Sequence, residues 1–392
     1  MKLAAFAALL LISTAPAVLA AEVDPAVLDR LKAVMASQQM DLAWEKVETY
    51  DNADGEEVTA LINATVKIGD KPTTISAIEL SDVVEAEGGW KIGKLAVPSH
   101  SVTEDDTSVY LEDIEVTGMM LYPEGVEPPY GGMAMYEGFA LGAVEVSAKN
   151  KQVFRMADLH VELTPPTAGS PLSFEGAAES FNVDLTSVED AQSKAVIEAM
   201  GYQNLAGFFE MGGTWNPADG RMDLTQYDVT VTNAGTIGLA FSLGGYTVDF
   251  LNQLKKMQEQ LASNPGGDNS AAGLAMLGLM QQLTFNSAQI SFYDDSLTNK
   301  VLDYVAKQQK VKPADIANQA KAVVPFMMMQ LNDPALTQMV TEAVTKFLDD
   351  PKSLVITAEP SSPVPFAVIM AGAMSAPQGL PKQLGLKVTA NE

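Results

Sequence analysis

Only two histidines, His100 and His160, could serve as an imidazole base, and the chain has no cysteine. His100 lies in Pro98-Ser99-His100-Ser101, beside two hydroxyls. A base adjacent in sequence to its nucleophile rarely reaches the geometry that proton transfer needs, so the structural reading is a strand-end turn. His160 sits between apolar Leu159 and Val161, with Asp158 and Glu162 further out, which places it on a solvent-facing or polar seam. A histidine-ligated zinc would need both imidazoles plus carboxylates, and neither stands at a helical i, i+4 spacing from a partner ligand. The lack of cysteine removes thiolate nucleophiles, thiolate-bound metals, disulfides and a lipoprotein lipid anchor. No G-x-S-x-G, S-x-x-K, H-E-x-x-H or glycine-rich phosphate loop is present. Fifty acidic residues leave paired-carboxylate sugar chemistry open by counting. The aromatic platforms such chemistry favours are few: Trp44, Trp90 and Trp215 each sit among alternating apolar residues, a pattern of core packing. Calcium loops fail by position. Around Gly55 the EF-hand spacing puts Tyr50 and Leu61 where acids are required, and around Gly220 it puts Trp215 at the first ligand. The sequence therefore assigns no catalytic, cofactor or metal residue.

Methionine is in excess, with twenty residues that include Met119-Met120, Met133, Met135 and Met327-Met328-Met329. Thioethers are soft ligands that suit Cu(I), yet these lie on apolar faces without an accompanying histidine. Their structural role is to fill irregular core space. A further role is to line an adaptable apolar groove for acyl chains or a partner helix.

The first twenty residues carry the export signal. Met1-Lys2 is a basic head, Leu3 to Ile12 is an apolar run too short to span a bilayer, and Val18-Leu19-Ala20 presents small residues before a cut after Ala20. Residues 1–20 are expected to be a cleaved signal peptide, giving a periplasmic or secreted protein of 372 residues. The full chain carries a formal net charge of −26, which argues against nucleic acid or an anionic membrane surface as an electrostatic partner. The most apolar later run, Ala271 to Met280, is half the length of a spanning helix, so no transmembrane segment is expected in the mature chain.

The elements follow from periodicity. Residues 25–39 read as an amphipathic helix. Val58, Ala60, Ile62, Ala64, Val66 and Ile68 alternate with Thr59, Leu61, Asn63, Thr65 and Lys67, predicting a strand with the first set buried. The turn Asp51–Gly55 should pair it with Leu42-Ala43-Trp44. Strand-like runs at 73–82, 90–97, 108–117, 133–148, 152–163 and 172–185 are joined by turn residues, which predicts an antiparallel meander and not βαβ units. Thr186 or Ser187 should cap a helix ending at Gly201. A hairpin at 207–232 and a strand at 236–243 follow. Then come helices at 247–262, 271–283, 297–308, 313–331 (broken or kinked at Pro325) and 334–349, with a strand at 284–293 among them. Strands at 354–358 and 386–390 flank a short apolar helix, and 264–269 is a candidate mobile loop. The fold class expected is α+β: a long, curved antiparallel meander with amphipathic helices packed on it and a helix-rich C-terminal half. Region 21–185 is β-rich; region 186–392 is mixed, helix-rich from 246, and compatible with continuing the same sheet. Asp113-Ile114-Glu115-Val116 and Asp158-Leu159-His160-Val161 look alike, which strands of one sheet suffice to explain.

The hairpin Gly213-Thr214-Trp215 … Asp219-Gly220-Arg221-Met222-Asp223-Leu224 and the segment Val355-Ile356-Thr357-Ala358-Glu359-Pro360 resemble uncharacterised periplasmic proteins of Gram-negative bacteria. Over residues 150–392 the style is distantly similar to AsmA-type envelope proteins. That resemblance implies a β-rich protein of envelope assembly or lipid handling, and it carries over no functional residue. The expectation is a non-catalytic exported protein that binds a lipid or acyl chain. The alternatives are an envelope assembly factor with a protein partner and a carboxylate-based hydrolase. Oligomeric state is not encoded in any motif.

Overall fold

The computed structural model describes residues 23–53, 55–68, 71–126, 130, 135–166, 170–263, 270–329 and 332–392. The expected leader, the 264–269 loop and Met133 lie outside them. Among the described residues, seventeen strands form one open antiparallel sheet, and nine α-helices accompany it. The first ten strands are β1 Met40–Ala43, β2 Lys46–Asp51, β3 Glu57–Ile68, β4 Lys71–Ala86, β5 Gly89–Val97, β6 His100–Glu104, β7 Thr107–Leu121, β8 Gly138–Ala148, β9 Lys151–Thr164 and β10 Leu172–Asp184. The remainder are β11 Asn204–Asn216, β12 Arg221–Val231, β13 Gly235–Gly244, β14 Thr284–Asp294, β15 Ser353–Ala358, β16 Val364–Pro365 and β17 Leu386–Ala390. Neighbours in sequence pair almost throughout. β10 pairs with β11 from Leu172↔Trp215 to Asp184↔Asn204, so the sheet is continuous across the junction near residue 185.

Tight hairpins make the meander possible. Glu87-Gly88 between β4 and β5, and Lys149-Asn150 between β8 and β9, hold positive φ at both central positions. That backbone matches the right-handed twist of the flanking strands. The turn at 51–55 joins β2 to β3, with Tyr50↔Val58, whereas Leu42 pairs with Val66 at the far end of β3. This corrects the expected pairing of Leu42 through that turn. The hairpin strand β6 was not foreseen; it folds back on β7, while β5 pairs with β7 further along.

The expected alternation in β3 also fails, for a backbone reason. Leu61 is fully buried in one cluster with Ala64 and Val66, although it has the opposite parity. Between them Asn63 adopts φ +50. A single left-handed residue inside a strand shifts the phase of side-chain alternation, so residues three apart can face the same side. The device recurs at Asp82 (φ +52), Gly118 (φ +65), Asp113 (φ +49) and Asp158 (φ +54). In consequence Leu80 and Val83, and Val116 and Met119, enter one core. Asp and Asn tolerate this conformation better than other non-glycine residues because their short polar side chains can bond locally.

Helix α1 (Pro25–Ser37) covers this core with Val27, Leu28 and Leu31. Pro25 sits at its start and Asp24 caps it, accepting 2.9 Å from the Ala26 amide. Helix α2 (Ala191–Met200) is capped by Asp190, not by Thr186 or Ser187, because the Asp190 carboxylate reaches the Ser193 amide at 2.7 Å. Helices α3 (Val248–Ser263) and α4 (Ser270–Met280) precede β14. Between β14 and β15 lie α5 (Leu297–Gln309), α6 (Pro313–Met328) and α7 (Pro334–Asp349). Helix α6 continues unbroken through Pro325 and ends three residues later. Helices α8 (Phe366–Ser375) and α9 (Leu380–Gln383) lead into β17. Among the described residues no helix is long and apolar enough to cross a membrane.

Candidate binding face

Directly paired residues in neighbouring strands share a face of the sheet, so the register defines rows across it. One row runs Val97, Ile114, Leu141, Leu159, Ala178, Phe209, Val229, Ile237, Phe292, Leu354, Ala390 through ten successive pairings. The adjacent row on that face runs Leu80, Leu95, Val116, Phe139, Val161, Gly176, Met211, Tyr227, and then Leu239, Ile290, Ile356, Val388. No charged residue interrupts either.

Helices cover this apolar face at its two ends and along one side. Helix α1 covers the β3–β7 end. At the other end α7 inserts Ala343 and Phe347 over Phe292, Leu354, Val388 and Ala390, with the Phe292 and Phe347 rings 6.1 Å apart. Along the side, α3 and α4 bury Phe250, Met257 and Leu279 against Phe366. An aromatic group continues that side: Trp215 stands edge-on to Tyr130 and Tyr246 at 6.0 and 6.3 Å, and its indole N–H donates to the Tyr246 carbonyl at 2.7 Å. Trp215 is thus a buried packing residue, as its sequence context indicated. Trp44 and Trp90 are half-buried in the α1 core, with the Lys32 ammonium 3.8 Å above the Trp44 ring.

Between these covers the floor is open. Ile237 is 61% exposed and Ile290 53%, and Tyr227, Leu239 and Ile356 are also exposed. The Phe209 and Tyr227 rings meet edge-on at 5.0 Å on its β11 side. The open stretch crosses β11 to β15, about 19 Å at ~4.8 Å per strand. Burying an aliphatic side chain of this size contributes roughly 1.5–3 kcal/mol, so leaving several adjacent ones in water is costly unless something covers them. The methionines divide: Met119, Met135 and Met257 are core residues, and Met211 lies in the open rows. Met327, Met329 and Met374 are exposed on helical segments.

The opposite face is polar. Its row reads Glu48, Ala60, Glu79, Ala96, Glu115, Ala140, His160, Ala177, Glu210. Alanine between acids keeps like charges from standing directly opposite, which would destabilise the pair. Beyond it the rule lapses, since Glu162 faces Glu175 and Glu210 faces Asp228. The Gln226 amide nitrogen bridges the second pair, 3.5 Å from Glu210 and 3.0 Å from Asp228. His160, Glu175, Glu210 and Gln226 line one hollow of about 420 Å³, with His160 exposed as expected. Among the described residues no group of three or more acids or histidines could hold a metal ion. A second hollow of about 500 Å³ adjoins it at Thr214 and Thr225. His100 begins β6 with its Nε2 buried and unpartnered. It is not among the residues that line the hollow of His160. Sequence reasoning located neither apolar row, because each crosses strands separated by loops of unequal length.

A family model described only as an uncharacterized protein matches residues 228–391, from within β12 to the last residue before the terminus. No curated protein matches the chain.

Proposed function

We propose that this is an exported, periplasmic protein that binds an apolar ligand, a lipid or acyl chain, on the open floor between α7 and the α3–α4 side. The single observation that supports this most strongly is the uninterrupted apolar register from Val97 to Ala390, which with the row beside it is left exposed where Tyr227, Ile237, Leu239, Ile290 and Ile356 adjoin. A ligand laid across the strands would recover at ~25 cal/mol per Å² the burial that the fold leaves unrealised. The unbranched Met211 side chain beside that floor suits chains of irregular shape. In the same reading the sheet curves around its apolar side and the C-terminal helices serve as walls.

Displacement of a fluorescent fatty acid from the mature protein tests the proposal. Wild type should bind and release the probe to competing lipid. Ile237→Asp should weaken binding about tenfold or more by placing a charge on the floor. A wild-type protein that neither binds the probe nor carries lipid in native mass spectrometry would refute it. The carboxylate-hydrolase alternative draws on one observation, the hollow that gathers His160, Glu175 and Glu210. Turnover of ester or glycoside substrates that is lost in His160→Ala would favour it.

A further inference from the structure

Helix α8 is built of Phe, Ala, Val, Ile, Met and Gly with one Ser, and none of its ten residues is buried. Phe366 touches Phe285 across 6.5 Å, but Val368 is exposed and Met374 is 88% exposed. Helix α4, which packs beside α8, likewise exposes Leu277 and the small residues Gly273, Ala275 and Gly278. A helix apolar on every side is normally enclosed by protein or lipid. These two are enclosed on one side only.

Charge says what covers the other side. In a chain of net charge −26, residues 269–293 and 360–381 contain no Asp, Glu, Lys or Arg. A protein partner recognised by steering would find nothing to steer it here. An anionic bilayer would repel the acidic remainder of the molecule. An uncharged apolar patch on an acidic body fits a zwitterionic lipid surface. We infer that α4 and α8 together form a docking surface for a zwitterionic bilayer, with Leu277, Val368 and Met374 entering the acyl boundary. The patch is the outer side of the helices that wall the apolar floor, so docking would bring that floor to the source of its ligand. This last step rests on the proposed lipid binding; the docking itself does not.

Sedimentation of the full mature chain with phosphatidylcholine vesicles tests it. Wild type should co-sediment, and addition of phosphatidylglycerol should reduce the bound fraction at low salt. Leu277→Glu combined with Met374→Glu should lower partitioning by about tenfold or more. Met327→Glu, on the separate exposed end of α6, should leave it unchanged. Matching thermal melts establish that the variants are folded. Wild type remaining in the supernatant, or a double variant that partitions like wild type, would overturn the inference. So would a wild-type dimer that the double variant dissolves, since a second copy would then be the cover. Fatty-acid displacement without vesicles separates the two readings: it should survive Leu277→Glu/Met374→Glu and fail in Ile237→Asp.

Discussion

Gly93 faces the left-handed Asp82 across the β4–β5 ladder, and the pair offers a quantitative test of the strand kinks. A Cβ added at Gly93 would lie 2.5 Å from the Asp82 Cβ and 3.1 Å from the Asp82 carbonyl oxygen. Neither contact is with the far end of a flexible side chain, so the backbone must give. Overpacking of this kind costs about 1–3 kcal/mol, and Gly93→Ala should destabilise by that amount. Asp82→Gly alone should range from neutral to stabilising by about 1 kcal/mol. It relieves a positive φ that costs an ordinary L-residue roughly 1–2 kcal/mol, against about 0.5–1 kcal/mol of added chain entropy in the unfolded state. In the double variant the 2.5 Å contact disappears and only the carbonyl contact remains. The two changes should therefore couple favourably by about 1 kcal/mol. Urea denaturation of the four proteins, with equal slopes checked first, yields that coupling energy. A Gly93→Ala variant as stable as wild type, or strictly additive changes, would refute the account of the kink as a close cross-strand approach.

Other outcomes follow from single contacts. Asp184 is lowered to about 2, chiefly by the hydrogen bond from Lys151 and then by Thr186. Because this lies below its ordinary 3.8, the stabilisation is present above that value and is lost as pH falls toward 2. NMR titration should find the low midpoint, and Lys151→Met should raise it; an unmoved midpoint would acquit Lys151. Asp190→Ala should remove the cap of α2, a helix with no buried residue, at a cost of about 1 kcal/mol. Its amides should then exchange with solvent markedly faster than those of α7, which buries Leu336, Ala343 and Phe347. Gly245→Ala should prevent normal folding at the β13–α3 junction, since its Cβ would overlap the Gln282 carbonyl; soluble expression at wild-type yield would contradict this.

The elements were largely legible, because each is a local pattern: apart from β6 and the two-residue β16, the strands from β4 onward, and helices α1 and α3 to α8, lie within a few residues of their expected bounds. What was not legible is non-local or conformational. Leu61 reads as solvent-facing until Asn63 is seen to adopt a positive φ, and nothing in the spelling of an Asn inside a strand announces that. The open floor arises because Phe209, Val229 and Ile237 come into register, and register across unequal loops cannot be counted from the chain. The likeness of Asp113–Val116 to Asp158–Val161 proves to be positional. Ile114 and Leu159 both pair with Leu141, Glu115 and His160 both pair with Ala140, and both aspartates are left-handed. Similar demands at equivalent places suffice to make these segments alike.

The alternation of Glu48, Ala60, Glu79, Ala96, Glu115 and Ala140 restricts how such a sheet can change in length. Losing or gaining a lone strand would reverse chain direction and bring two acids, or two alanines, side by side. Adding or deleting a whole hairpin keeps both direction and phase. Lengthening this architecture is therefore a matter of even numbers, with the two-strand ribbon as its smallest heritable module.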